Sequence, residues 1–263
     1  VSEPERRHLP GFSLVEYAAL VGDLLRNGYV SLPVEEIAEP SDGHALYLRH
    51  DIDVHIKRID QMARIEAELG AVATYYVPLT LQFNPFYPEN AAILRELVAM
   101  GHRLGLHYEL TTYPDGESAA RERLDREAAW LGEITGVMPR TICMHLPSLH
   151  GEDRFCGVDG YVHPHDPRYA DGLLYVSDSC RAWRDEELLR CFGENPPPRL
   201  LLNTHPELWL GMADEERESF LEGTLLENTL EQPRAFVLET LRSWFDGHPG
   251  PVAERARIEA RCA

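Results

Sequence analysis

The sequence predicts an α/β protein built on a parallel sheet or barrel. Two observations carry this. Short apolar runs alternate with helix-like stretches long enough to cross back over a sheet. Five of the apolar runs end in charged or imidazole side chains: Asp51 with Asp53, His107 with Glu109, His145, Asp178 and His205. In parallel barrels the active site sits at the carboxyl ends of the strands, so five polar strand ends read as one rim.

The elements follow in order. Residues 13–27 form a helix, with Ser13 and Glu16 as a capping box, Leu14, Ala18, Val21 and Leu25 as its apolar stripe, and Gly28 as its stop. Residues 30–44 are polar and contain proline, and they lead into a strand at 45–49. A helix is expected over 56–69, closed by Gly70, then a strand over 71–77 rich in β-branched and aromatic residues. A long loop carrying Phe83, Phe86 and Tyr87 follows, either walling a cleft or packing on the barrel. Next come a helix at 90–100, a strand at 103–106, a charged helix at 115–135 closed by Gly136, and a strand at 141–144. Residues 147–172 are irregular, and His163-Pro164-His165 within them reads as a solvated loop. A strand at 173–176, a short helix at 185–191, a strand at 200–203 and two helices near 213–222 and 233–245 complete the chain. No repeat or internal boundary is visible, so one domain is expected, with its core over about 14–245.

The chain has 263 residues and a net charge of −19. That charge repels phosphate polymers and anionic membranes, so neither nucleic acid nor membrane is an expected partner. No stretch approaches a membrane span, and the first residues lack the apolar core of a signal peptide, so the expected location is cytoplasmic. Five cysteines without a C-x-x-C pair fit a reducing compartment. There is no phosphate loop, no G-x-G-x-x-G, no H-E-x-x-H and no G-x-S-x-G elbow, which leaves nucleotide transfer, nicotinamide chemistry and serine hydrolysis without support.

The stretch Ala45–His55 is the most informative. Its apolar start ends abruptly in Arg49, His50, Asp51 and Asp53. Strand alternation puts Asp51 and Asp53 on one face and His50 on the other. Two carboxylates that close ionise cheaply together only with a cation between them. A plainer role for Asp53 is to cap the next helix, and for His107 to donate to a carbonyl at a strand end.

Residues 49–53, 101–109, 178–183 and 201–206 together resemble the polysaccharide deacetylase superfamily, carbohydrate esterase family 4 with the NodB-homology fold, in its His-Asp-x-Asp branch. The resemblance runs from about Tyr17 to about Trp209. It implies a distorted (β/α) barrel of about seven parallel strands. It makes Asp51 the catalytic base, Asp53 and His107 metal ligands, His205 the acid, Asp178 the residue orienting His205, and Trp183 an aromatic wall for substrate. The family's second metal-binding histidine falls on Thr111. Three residues could replace it: His145, which is favoured because it arrives from a separate strand, Glu109, or His55. Arg49 is expected either to contact substrate or to pair with Asp51.

The chemistry so implied is amide hydrolysis. One divalent transition metal, zinc first and iron, cobalt, nickel or manganese as alternatives, would activate water. The expected activity is N-deacetylation of an amino sugar or another small N-acylated metabolite. Competing readings are a metal-independent or ring-opening amidohydrolase, a non-catalytic carbohydrate-binding relative, and an iron oxygenase using the Asp53/His107/His145 face.

Overall fold

The computed structural model describes residues 9–39, 41, 43–81, 83–147, 153–179, 181–183, 186–211, 216–247 and 260. His150, Cys180 and Cys262 lie outside the described residues. All the strands belong to a compact unit, residues 1–214, while residues 215–263 form a second unit. No helix among the described residues is long and apolar enough to cross a membrane.

The sheet is wholly parallel. Its strands are β1 (Tyr29–Ser31), β2 (His44–Asp51), β3 (Ala73–Val77), β4 (Arg103–Tyr108), β5 (Ile142–Met144), β6 (Leu173–Ser177) and β7 (Arg199–Thr204). The order is β5-β4-β3-β2-β7-β6, with β1 paired to the start of β2. This is the expected distorted barrel, seven strands in a curled half-barrel. β2 lies at its centre, in register with β3 at Asp51↔Tyr76 and with β7 at His50↔Thr204. The chain therefore grows outward on one side through β3, β4 and β5, then returns to the other side of β2.

Helices α1 (Leu14–Arg26), α2 (Ile59–Glu68), α3 (Pro88–Ala99) and α4 (Glu117–Thr135) cross between strands. Ser13 Oγ caps α1 by accepting the Glu16 N–H at 3.3 Å. Gly136, at φ 80°, ends α4 in the left-handed conformation that glycine takes without strain. The expected helix over 56–69 begins only at Ile59, because Arg58 turns left-handed at φ 61°. Asp53 is thus too far upstream to cap it. The three-residue β1 was not expected, being too short to show alternation. The second unit holds a helical turn at Arg217–Ser219, a π-helical turn at Phe220–Leu225 and α5 (Leu226–Gly247) in place of two separate helices.

The two faces of the sheet differ. On the convex face Leu106, Tyr108, Ile142 and Met144 pack with Ala120, Leu124 and Ala128 of α4. On the concave face Ala45, Tyr47, Tyr76, Cys143 and Leu201 pack with Val34 and Ile37, from the short 3-10 turn Val34–Glu36 and its C-cap. Gly105 faces this concave side under Tyr76, where a Cβ would lie 2.6 Å from the ring. Each strand alternates, so the concave set continues through Arg49, Asp51, His107, Asn203 and, past the strand ends, Asp53, His145 and His205.

Candidate active site

The concave polar residues converge on Asp53. His107 Nε2 lies 3.2 Å from its Oδ1, His145 Nε2 lies 3.8 Å from the same oxygen, and His205 Nε2 lies 3.5 Å from Oδ2. Each imidazole is held from behind through Nδ1: His107 on the Cys143 carbonyl at 3.0 Å, His145 on Glu109 Oε2 at 2.7 Å, and His205 on Asp178 Oδ1 at 2.6 Å. Those partners only accept, so every Nδ1 is the protonated nitrogen. Each Nε2 then meets a carboxylate oxygen with a lone pair, unless it too carries a proton.

Asp51 sits behind this centre. Arg49 grips it with two bonds, Nε to Oδ1 at 2.8 Å and Nη2 to Oδ2 at 2.7 Å, and Asn203 Nδ2 donates to Oδ2 at 3.1 Å. Burial alone would raise the Asp51 pKa, but the Arg49 guanidinium, with His107 and His205, holds it well below the usual carboxylate range. Asp53 is likewise lowered against its burial, by the His107 hydrogen bond and by His205. Burial would push His205 down, but Asp178, with Asp53 and Asp51, carries it well above an ordinary imidazole. The second Asp178 oxygen accepts the Trp209 indole N–H at 2.7 Å, so the orienting carboxylate is itself fixed.

The expected site residues Asp51, Asp53, His107, His145, Asp178 and His205 come together. Among the three candidates for the missing ligand, His145 faces Asp53 and Glu109 holds His145. Neither ring nitrogen of buried His55 has a hydrogen-bond partner among the described residues. Thr111 donates its hydroxyl to Glu109 Oε1 at 2.6 Å.

Of the two roles open to Arg49, the structure shows the pairing with Asp51: Arg49 is 2% exposed, and its remaining Nη1 meets His165 Nε2 at 2.6 Å. One expectation needs correction. His163 is not solvated. It is buried against Asp153 at 2.8 Å, and Asp153 also accepts the Tyr108 hydroxyl. Trp183 stacks on Phe12 and meets Trp209 edge-on, with its N–H donated to Pro10. In the 83–87 loop Phe83 is buried and Phe86 exposed.

Sequence reasoning missed Glu207. It is buried, with Oε1 accepting the N–H groups of Asp53 at 3.0 Å and Val54 at 3.1 Å. Burial and the nearby Asp53 carboxylate push its pKa up to about 8. The cysteines described here offer no nucleophile, since burial raises the thiol pKa of Cys143, Cys156 and Cys191 alike.

The donor set suits a divalent cation. Nε2 lone pairs and a carboxylate aimed at one place repel one another in a dry site, and a cation between them removes the conflict. As they stand, the side chains close directly on one another, and among the described residues no three His, Cys, Asp or Glu are spaced to hold an ion.

No family model and no curated protein matches the chain. Solved structures do. A variant of the peptidoglycan deacetylase PdaC from Bacillus subtilis is 15% identical, with 77% of this chain and 98% of that one covered and a TM-score of 0.44. The Xyl-CE4 domain of a multidomain xylanase, from the hindgut metagenome of Trinervitermes trinervoides, is 12% identical, with 73% and 85% covered and a TM-score of 0.43. A CE4 family pseudoenzyme from Bacillus anthracis is 15% identical, with 74% and 63% covered and a TM-score of 0.40.

Proposed function

We propose that the chain is a metal-dependent amide hydrolase, an N-deacetylase of an amino sugar or another small N-acylated metabolite. The observation that carries this is the convergence of three Nδ1-anchored imidazoles on Asp53. Asp53, His107 and His145 would hold the metal, zinc first among divalent transition metals. When bound, it supplies Lewis acidity, lowering the pKa of water to about 7 and polarising the acyl carbonyl.

The chain's own residues do the rest. Asp51, aimed by Arg49 and Asn203, takes the proton of the attacking water as its oxygen bonds to the acyl carbon. Arg49 costs this base some strength and in return keeps it ionised and correctly oriented. His205 carries its proton on Nε2 and gives it to the departing amine as the C–N bond breaks. Asp178 fixes His205 in the tautomer that can do so. Transfer of the proton from Asp51 to His205 restores the starting state. The acidic surface suits a small neutral or cationic substrate better than a phosphate polymer.

The direct His107–Asp53 contact favours one second reading, a metal-independent amidohydrolase with His107 protonated on both nitrogens. The test is metal content after purification without added metal or chelator, with Asp53→Ala and His107→Ala alongside, followed by deacylation assays. About one equivalent in the parent, lost from both variants, supports the metal enzyme. Turnover that survives exhaustive chelation moves the reading to the metal-free hydrolase. Full activity in both Asp51→Asn and His205→Ala rules out the acid–base roles above.

A further inference from the structure

Glu207 has no part in the reaction just described, yet it is built into the site. β2 ends at Asp51, and the next residue, Ile52, makes a last ladder bond from its N–H to Tyr76 O at 3.1 Å. Beyond that point no strand pairs with it among the described residues. There the Glu207 carboxylate arrives from the turn Pro206–Trp209 and takes both following N–H groups on Oε1. It replaces the carbonyls that another strand would have offered.

We infer that Glu207 is a positioning residue: it ties the Asp53–Val54 backbone to the rim of β7 and thereby aims the Asp53 carboxylate at His107, His145 and His205. The same turn begins at the residue after His205, so one short segment sets the separation between Asp53 and His205. The choice of an acid is costly for stability. Glu207 is 2% exposed, and its Oε2 has no hydrogen-bond partner among the described residues. A buried carboxyl group with one oxygen unbonded is a poor way to stabilise a fold. It is a good way to satisfy two adjacent N–H groups from a single point.

This inference rests on the proposed function only in taking Asp53 as the centre of the site. It is tested in the full chain by backbone amide exchange, which needs neither metal nor turnover, and by calorimetric titration with Zn2+. Glu207→Leu is expected to speed exchange at Asp53 and Val54 by about tenfold or more, leaving the amides of β6 unchanged. It should weaken Zn2+ binding by about tenfold or more. Glu207→Gln keeps a carbonyl acceptor and should stay within about threefold of the parent in both measurements. Unchanged exchange in Glu207→Leu overturns the inference, as does a Glu207→Gln variant damaged as badly as Glu207→Leu. If Glu207→Leu does not fold, Glu207→Gln and Glu207→Asp decide: Gln retains protection, whereas Asp, one methylene shorter, loses it despite keeping the carboxyl group. A parent that takes up no Zn2+ counts against the metal reading alone, and the exchange data still decide the role of Glu207.

Discussion

Asp178→Asn separates the charge of the His205 partner from its shape. In the parent, three donors share the two carboxylate oxygens: His205 Nδ1–H at 2.6 Å, the Trp209 indole N–H at 2.7 Å, and the His205 backbone N–H at 3.0 Å. Asparagine has one acceptor oxygen, so one donor is orphaned or the amide N–H forces His205 into the wrong tautomer. The lost charge has a calculable effect. Two unit charges about 4 Å apart at an effective dielectric near 20 interact by roughly 4 kcal/mol, and partial access of water to His205 reduces this. His205 is raised in the folded protein, so its acid function is present below that raised pKa and lost as pH rises through it. Asp178→Asn should therefore move the alkaline limb of kcat/KM toward acid and lower kcat by about 10²–10³-fold. A proton NMR titration of the His205 ring reads the same shift without any substrate. An unchanged ring titration, or kcat within about threefold of the parent, refutes the orienting role.

Three other outcomes follow from the same structure. Gly105→Ala places a Cβ against the Tyr76 ring and should destabilise the fold by about 1–3 kcal/mol, measured by urea unfolding; a neutral result means the ring swings aside freely. Arg49→Leu leaves Asp51 buried without its cation and should cost about 3–5 kcal/mol, read as a lower Tm. On the convex face Glu66 accepts from Tyr17, His50 and Tyr75, and burial is outweighed by His50, so its pKa is lowered. His102 is lowered chiefly by burial, its Nε2–H donated to Ala63 and its Nδ1 accepting from Ala73. Both groups bind protons more readily when unfolded. The His102 contribution to stability should fade as pH falls below about 6.5, and the Glu66 contribution below about 4.3. A Tm that is flat from pH 7 to pH 4 would contradict this.

Much of the fold is legible because both of its periods are. The capping box at Ser13 and the glycine after α4 mark helix ends by local chemistry alone. The strand ends announce themselves by polarity, and alternation assigns Asp51 and Asp53 to one side and His50 to the other. What stays hidden depends on contacts far apart in sequence. Arg49 carries no mark of whether it meets substrate or Asp51, because burial decides that. His165 reaches Arg49 across 116 positions, from a stretch with no periodicity. Glu207 looks like the start of a turn, and its partners are backbone N–H groups 153 and 154 positions away, which have no signature. β1 is recognisable only from its pairing with β2.

β2 interleaves two polar programmes along a single run of chain. Arg49 and Asp51 serve the concave chemistry, while His50, between them, serves the Glu66 network and meets Thr204 at 2.6 Å. A one-residue insertion or deletion upstream of Arg49 would exchange these assignments at a stroke. It would drop an arginine–aspartate pair among the helices and send an imidazole into the cleft. A change of one residue in the length of this strand therefore reverses every face, whereas a change of two preserves them. The hidden histidine acts as a frame marker, coupling the reading frame of the catalytic strand to the integrity of the fold behind it.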